Sequence, residues 1–299
     1  MNDTRNHPKP ILLSTLAMLF LALSTLACGI NLGGSSDQES VQLEQTRVAL
    51  QQTQIALDYL TQDTPIETEA PPAPDVSYEG ISFSFDPSIA AAFSPAIIPG
   101  QNLGEDYMPG DTYPTYYEFS INGYAVSNHF HTPVINVYPV AEFRSISTMA
   151  SNIIDDLEWA LANHPSGGSS GDLPFLPIWN AAQIFTAKVT YFDFQNGSGV
   201  RYLSMYGQAL YPADNQNLFY TYQGLTSDGQ YYISAVLPVT NPILPDDGAT
   251  TVDDWMAFDQ NWDNYIVGLL QTLNGQSDEN FTPNLALLDE MMASFKVKP

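Results

Sequence analysis

Two pairs of long apolar runs, each joined by a glycine-containing turn, constrain this chain more than any other feature. Ala187 to Gln195 faces Val200 to Tyr211 across Asn196-Gly197-Ser198-Gly199, and Leu218 to Thr226 faces Gln230 to Pro238 across Ser227-Asp228-Gly229. Branched and aromatic side chains crowd the preceding turn of a helix but pack well on a pleated surface, and glycine admits the backbone that tight turns demand. Both pairs therefore predict antiparallel hairpins. Val200, Tyr202, Ser204 and Tyr206 alternate with Arg201, Leu203 and Met205. Large residues fall in both sets, so this strand is expected to be at least partly covered on both faces.

The flanking sequence supplies the cover. Tyr78 to Phe85 predicts a strand stopped by Asp86-Pro87, and Tyr116 to Ile121 and Val134 to Val140 predict two more. Ile146 to Ala162 carries Ile146, Met149, Ile153, Leu157 and Leu161 at helical spacing and ends at His164-Pro165 and the Ser/Gly run to Gly171. Helices are also predicted around Asp253 to Leu273 and Pro283 to Phe295. Hairpins with helices on either side imply an α+β fold, an antiparallel sheet sandwiched by helices, in one globular domain over 77–299. This order, closing on Ser294-Phe295-Lys296-Val297, resembles the PsbP-like α/β sandwich and uncharacterised exported bacterial lipoproteins. The resemblance is architectural and implies an extrinsic or accessory role rather than one class of enzyme.

Ahead of the domain stands a leader. MNDTRNHPKP carries Arg5 and Lys9, the stretch ILLSTLAMLFLAL is uncharged, and Ser24-Thr25-Leu26-Ala27-Cys28-Gly29 follows. A basic start, a short apolar run and a small residue before the cut are the pattern of an export signal over 1–27. Ile11 to Ala27 is short for a spanning helix. With Ala27 directly before Cys28, the segment resembles the lipobox of bacterial lipoproteins, departing from its commonest form at Thr25, where Leu is usual. The resemblance implies a diacylglycerol or other acyl lipid such as palmitate on the Cys28 thiol, and anchoring at the extracytoplasmic face of a membrane. Two or three acyl chains hold a protein stably, since each buried methylene is worth about 0.8 kcal/mol. Gly29 is not the aspartate that signals inner-membrane retention in many diderm bacteria; inner and outer membrane both stay open.

Residues 28–40 form a small, polar, flexible tether. Over 41–62 a seven-residue echo (Thr46-Arg47-Val48-Ala49-Leu50, then Thr53-Gln54-Ile55-Ala56-Leu57) predicts a helical stalk. Its Val41, Val48 and Ile55 lie nearly opposite Leu43, Leu50 and Leu57, unlike a single coiled-coil seam. A lone spacer helix, self-association and docking back on the domain are the alternatives. The acidic, proline-rich stretch 63–76 predicts an extended linker, about 3 Å per residue.

Composition excludes several functions. Thirty-three acids against 8 bases leave a net charge of -25. Removing the leader with Asp3, Arg5 and Lys9 leaves 32 against 6, or -26. Such a surface repels phosphate backbones, so nucleic acid is not an expected partner. One cysteine permits no internal disulfide and no CxxC pair, and once lipidated it leaves no free thiol. No G-x-S-x-G stands at a strand-to-helix elbow, since Gly167 to Gly171 falls in the Ser/Gly run after a helix, and Walker A and GxGxxG are missing.

Three candidates for chemistry remain. His129 and His131, two apart on a strand, would aim both imidazoles to one face for zinc or copper, with His164 or Glu118 as a third ligand. Asp246-Asp247-Gly248 and Asp253-Asp254 could hold Ca²⁺, although capping of the following helix by Thr251 with Asp253 and Asp254 in its first turn explains them more simply. The aromatic residues could be stacking platforms for sugars or peptides, but most sit in strand runs and are expected to build the sheet. The expectation is a membrane-anchored, non-catalytic binding or accessory domain at the cell envelope, with an envelope protein or glycan as partner and no cofactor beyond the lipid on Cys28. A hydrolase of envelope polymers or glycans using unlocated carboxylates is one alternative, and a metal-binding protein through His129 and His131 is another.

Overall fold

The computed structural model describes residues 46, 47, 49–51, 53, 75–104, 107, 108, 110–168 and 173–298. The chain divides into one unit over Met1–Pro71 and a second over Pro72–Pro299. In the first, the described residues are helical and exposed, and the Thr53 hydroxyl donates to Ala49 O at 2.8 Å. The leader, Cys28, the tether, the rest of the predicted stalk and the linker up to residue 74 lie outside the described residues.

The second unit is built on a seven-stranded antiparallel sheet in the order β3-β4-β5-β9-β8-β7-β6. Its strands are β3 (Ala92–Ile98), β4 (Tyr116–Asn122), β5 (Val134–Pro139), β6 (Ala182–Phe194), β7 (Gly197–Gly207), β8 (Phe219–Thr226) and β9 (Tyr231–Pro238). The two predicted hairpins form one side of it, from β9 out to the edge strand β6, and β8 and β9 are buried along almost their whole length. A three-stranded sheet joins β1 (Val76–Tyr78), β2 (Ile81–Phe83) and β10 (Lys296–Val297). The helices are α1 (Val140–Ile146), α2 (Thr148–Asn163), α3 (Trp255–Gln260), α4 (Trp262–Gly275) and α5 (Leu285–Ala293).

The alternation read from Val200 onward separates two cores. Leu203 and Met205 join Tyr220, Tyr222, Ile233 and Ala235 in a cluster with α4, α5 and the small sheet, where Phe83 and Phe295 stack at 4.3 Å. Val200 and Tyr202 join Tyr138 and Tyr232 under α1 and α2. Buried Arg201 faces the first cluster, where its Nε and Nη2 donate to both oxygens of Asp289 at 3.0 and 2.7 Å. Asp278 lies 3.2 Å from Nη2 and also pairs with Lys188 at 2.6 Å. This network ties β7 to α5 by two charge-assisted hydrogen bonds in parallel.

Several boundaries differ from expectation, each for a local reason. The predicted strand Tyr78 to Phe85 is a hairpin, because Glu79 and Gly80 take positive φ (46° and 77°) and reverse the chain. Gly197-Ser198-Gly199 is not a turn. The β6–β7 loop is Gln195-Asn196, and Gly197 and Gly199 are strand residues. A Cβ on Gly199 would stand 2.3 Å from the Tyr222 ring, so the glycine makes room for a core aromatic. The helix predicted over Ile146 to Ala162 is divided at Ser147, which takes extended backbone and caps α2 by accepting from Ala150 N. The helix predicted over Asp253 to Leu273 breaks at Asn261. Its N-cap is Asp254 rather than Thr251, and the carboxylate accepts from Met256 N and Ala257 N. α5 is shorter than Pro283 to Phe295 and is capped by Asn284. Edge strand β3 was not anticipated: Pro95 interrupts its pattern and most of it is only lightly covered.

Candidate functional site

The segment Leu173 to Ala181 crosses from α2 to β6 over the sheet, held there by buried polar side chains. Tyr202 OH donates to Pro174 O at 2.8 Å. Gln223, fully buried on β8, treats Leu176 as a paired strand would: its Oε1 accepts from Leu176 N at 2.9 Å and its Nε2 donates to Leu176 O at 3.1 Å. Nε2 also donates to Thr221 Oγ1 at 2.7 Å, and Tyr232 OH donates to Oε1 at 2.6 Å. The Ser234 hydroxyl gives Leu176 O a second donor. Buried backbone groups without partners are costly, so this arrangement is what permits a loop to lie against the sheet.

The segment delivers Trp179 to an aromatic cluster. Trp179 stacks on His131 with centroids 4.5 Å apart and planes 2° from parallel, and it meets Phe175, Tyr206 and Phe219 edge-on at 4.7, 5.1 and 5.6 Å. Two clefts border it, and a third lies beyond Ile178. One of about 700 Å³ has Phe130, His131, Trp179 and Tyr206 in its walls with Thr132, Asn180 and Gln208. A second of about 490 Å³ is bounded by Met149, Ile153, Asp156 and Trp159 on α2 and by Phe175 and Trp179. The third, about 370 Å³, lies among Tyr107, Met108, Thr112, Met149, Asn152 and Ile178. These are sizes that accept small ligands or short polymer segments. Among the described lining residues, Asp156 alone carries a carboxylate.

The predicted histidine pair lies in irregular chain rather than on the strand expected, and of the two only His131 lines the 700 Å³ cleft. Both nitrogens of His129 are engaged: Nδ1 accepts from His131 N at 2.9 Å and Nε2 lies 2.8 Å from Leu218 O, as donor. That ring offers no lone pair to a metal in this arrangement. Burial lowers the pKa of His129. Burial, aided by His129, pushes His131 down to about 4, so its imidazole is neutral at ordinary pH. The His131 Nε2 atom is buried with no hydrogen-bond partner among the described residues. His164 instead ends α2 in left-handed conformation and stacks on Tyr191. Glu118, on β4, accepts from the hydroxyls of Tyr116 and Ser120. Among the described residues, no group of three or more His, Cys, Asp or Glu could hold a metal ion.

The acidic loop is engaged in backbone capping. Asp247 accepts from Ala249 N and Tyr211 OH, and Asp254 caps α3. Asp214, a residue without a sequence signal, is buried and accepts from Gln216 N, Asn217 N and Gly248 N, which holds that loop beside the start of β8. Many aromatic residues do build the sheet, as expected; Phe130, Tyr107, Trp159 and Trp255 are instead exposed, the first three at 78%, 61% and 57%. Among the described residues no helix is long and apolar enough to cross a membrane. No protein-family model, curated protein or solved structure matches this chain.

Proposed function

We propose that this chain is an exported bacterial lipoprotein, held by lipid on Cys28 at the extracytoplasmic face of a membrane, whose α+β domain is a non-catalytic binding or accessory module of the cell envelope. The anchor is supported by the order of basic start, short apolar run and Ala27-Cys28. The tether, stalk and linker then carry the domain a few tens of Å from the membrane. We read the sheet between its helix layers as an α/β sandwich of the PsbP-like kind, an architecture used by extrinsic and accessory proteins.

The observation that carries the binding role is the set of aromatic clefts over Leu173 to Ala181. Their walls set the rings of Phe130, Phe175, Trp159, Trp179 and Tyr206 beside polar groups (Thr132, Asn180, Gln208 and Asp156), a mixture that ligand sites use. Glycoside hydrolysis by paired carboxylates needs two acids about 5–10 Å apart, and the described walls supply Asp156 alone.

Metabolic labelling with a palmitate analogue, followed by fractionation of cells expressing wild type or Cys28→Ala, tests the anchor. The wild type is expected in the membrane pellet and labelled, the variant unlabelled and released from the membrane. A variant still labelled and membrane-bound refutes the anchor. Cross-linking in intact cells, followed by recovery of the chain with an envelope component, tests the binding role.

A further inference from the structure

The three clefts are neighbours. The two larger share Pro177, Trp179, Ala181 and Tyr206, and the two smaller share Met149 and Ile178, so they lie side by side along the Leu173 to Ala181 segment as three parts of one trough. Each contributes one large ring that folding leaves mostly in water: Phe130, Trp159 and Tyr107 in turn. Isolated exposed apolar residues are ordinary, but three rings spaced along one trough form a patch of the kind that marks interaction sites.

The chemistry between the rings narrows the occupant. Thr132, Asn180 and Gln208 are exposed beside Phe130, and Asn152 is exposed near Tyr107. The described walls contain no Lys or Arg, in a chain of net charge -25, so an anionic polymer meets no counter-charge and a repelling surface. A peptide added as a strand needs an open sheet edge. The edges here are β3 and β6, whereas the trough takes Val134, Tyr206 and Val236 from the inner strands β5, β7 and β9. A sugar ring has an apolar C–H face and a rim of hydroxyls. Exposed aromatic plates separated by amides and hydroxyls match both.

We propose that this trough binds a neutral, unbranched glycan chain, with Phe130, Trp159 and Tyr107 each stacking on a sugar and Thr132, Asn180, Gln208 and Asn152 bonding its hydroxyls. This inference rests on the binding role proposed above and names its ligand class.

The test uses the full-length chain, purified in detergent from its own membrane and titrated calorimetrically with cello-, xylo-, chito- and malto-oligosaccharides of two to six rings. Polygalacturonate and decaproline serve as anionic and peptide comparators. At least one neutral series is expected to bind, more tightly as the chain lengthens. Phe130→Ala, Trp159→Ala and Tyr107→Ala should each weaken it by about three- to tenfold at unchanged melting temperature, and the triple variant should abolish it. Absence of binding to all four series, undiminished binding by the triple variant, or tighter binding of either comparator overturns the proposal. An envelope protein that co-purifies equally with wild type and triple variant, while no glycan binds, refutes the glycan and leaves the binding role intact. A chain that recovers no envelope component and binds no glycan refutes both.

Discussion

Replacing Gln223 by methionine keeps the volume of the side chain and removes its amide from the core. Two buried groups then lose their partners outright: Leu176 N, which Oε1 accepts from, and Tyr232 OH, which donates to the same oxygen. Leu176 O keeps the Ser234 hydroxyl, and Thr221 still donates to Ala235 O. A buried donor left unsatisfied costs about 1–3 kcal/mol, and methionine adds little cavity or strain, so the loss is about 2–6 kcal/mol. In a domain of this size about 3 kcal/mol corresponds to a melting point roughly 6–12 °C lower. Urea unfolding followed by both circular dichroism and tryptophan fluorescence measures it, with coincident transitions and an unchanged slope as the check on two-state behaviour. Because Leu176 anchors the segment that carries Trp179, native-state fluorescence should change as well. A Gln223→Met variant within about 0.5 kcal/mol of wild type, with unaltered fluorescence, would show that the amide does not hold this segment.

Two further outcomes follow from buried charge. His131 titrates at about 4 in the fold against 6.5 unfolded, so the stability it confers is complete above pH 6.5 and is lost as pH falls towards 4. Over that window wild type should lose about 3 kcal/mol more than His131→Phe; parallel stability profiles would refute this. Arg201→Met leaves Asp289 buried beside an apolar neighbour and should cost about 3–5 kcal/mol, whereas Arg201→Met with Asp289→Leu should recover most of it. A double variant as unstable as the single one would mean that the pair contributes more than compensation of its own burial.

Features set by near neighbours in sequence were legible. The β6–β7 and β8–β9 hairpins, the two-faced burial of β7, the stop at Asp86-Pro87 and the end of α2 near His164 all follow from local pattern. The face of α2 shows where that reasoning ends. Spacing pointed to Met149, Ile153, Leu157 and Leu161 as core; Leu157 is buried as expected, but the other buried positions of α2 are Ala150, Ile154 and Ala160, each one residue away from the one expected. The sheet presents the large rings of Tyr138, Tyr202 and Tyr232 to this helix, so small side chains fit against them and Met149 is left at the trough. Gly197 and Gly199 are a parallel case, since turn chemistry and room for a distant ring call for the same residue.

By itself the sequence determined the leader pattern with its one cysteine, which permits no internal disulfide, the α+β class and the two hairpins. Each depends on residue type or on short-range periodicity, where the relevant physics acts between neighbours in the chain. Tertiary structure alone decided the break at Ser147, the Arg201–Asp289 pair, the engagement of His129 by backbone, and the trough itself. The walls of that trough come from Tyr107, Phe130, Trp159, Trp179 and Tyr206, separated by tens of residues. Burial competes for every ring in the sequence, and only packing shows which of them are left outside.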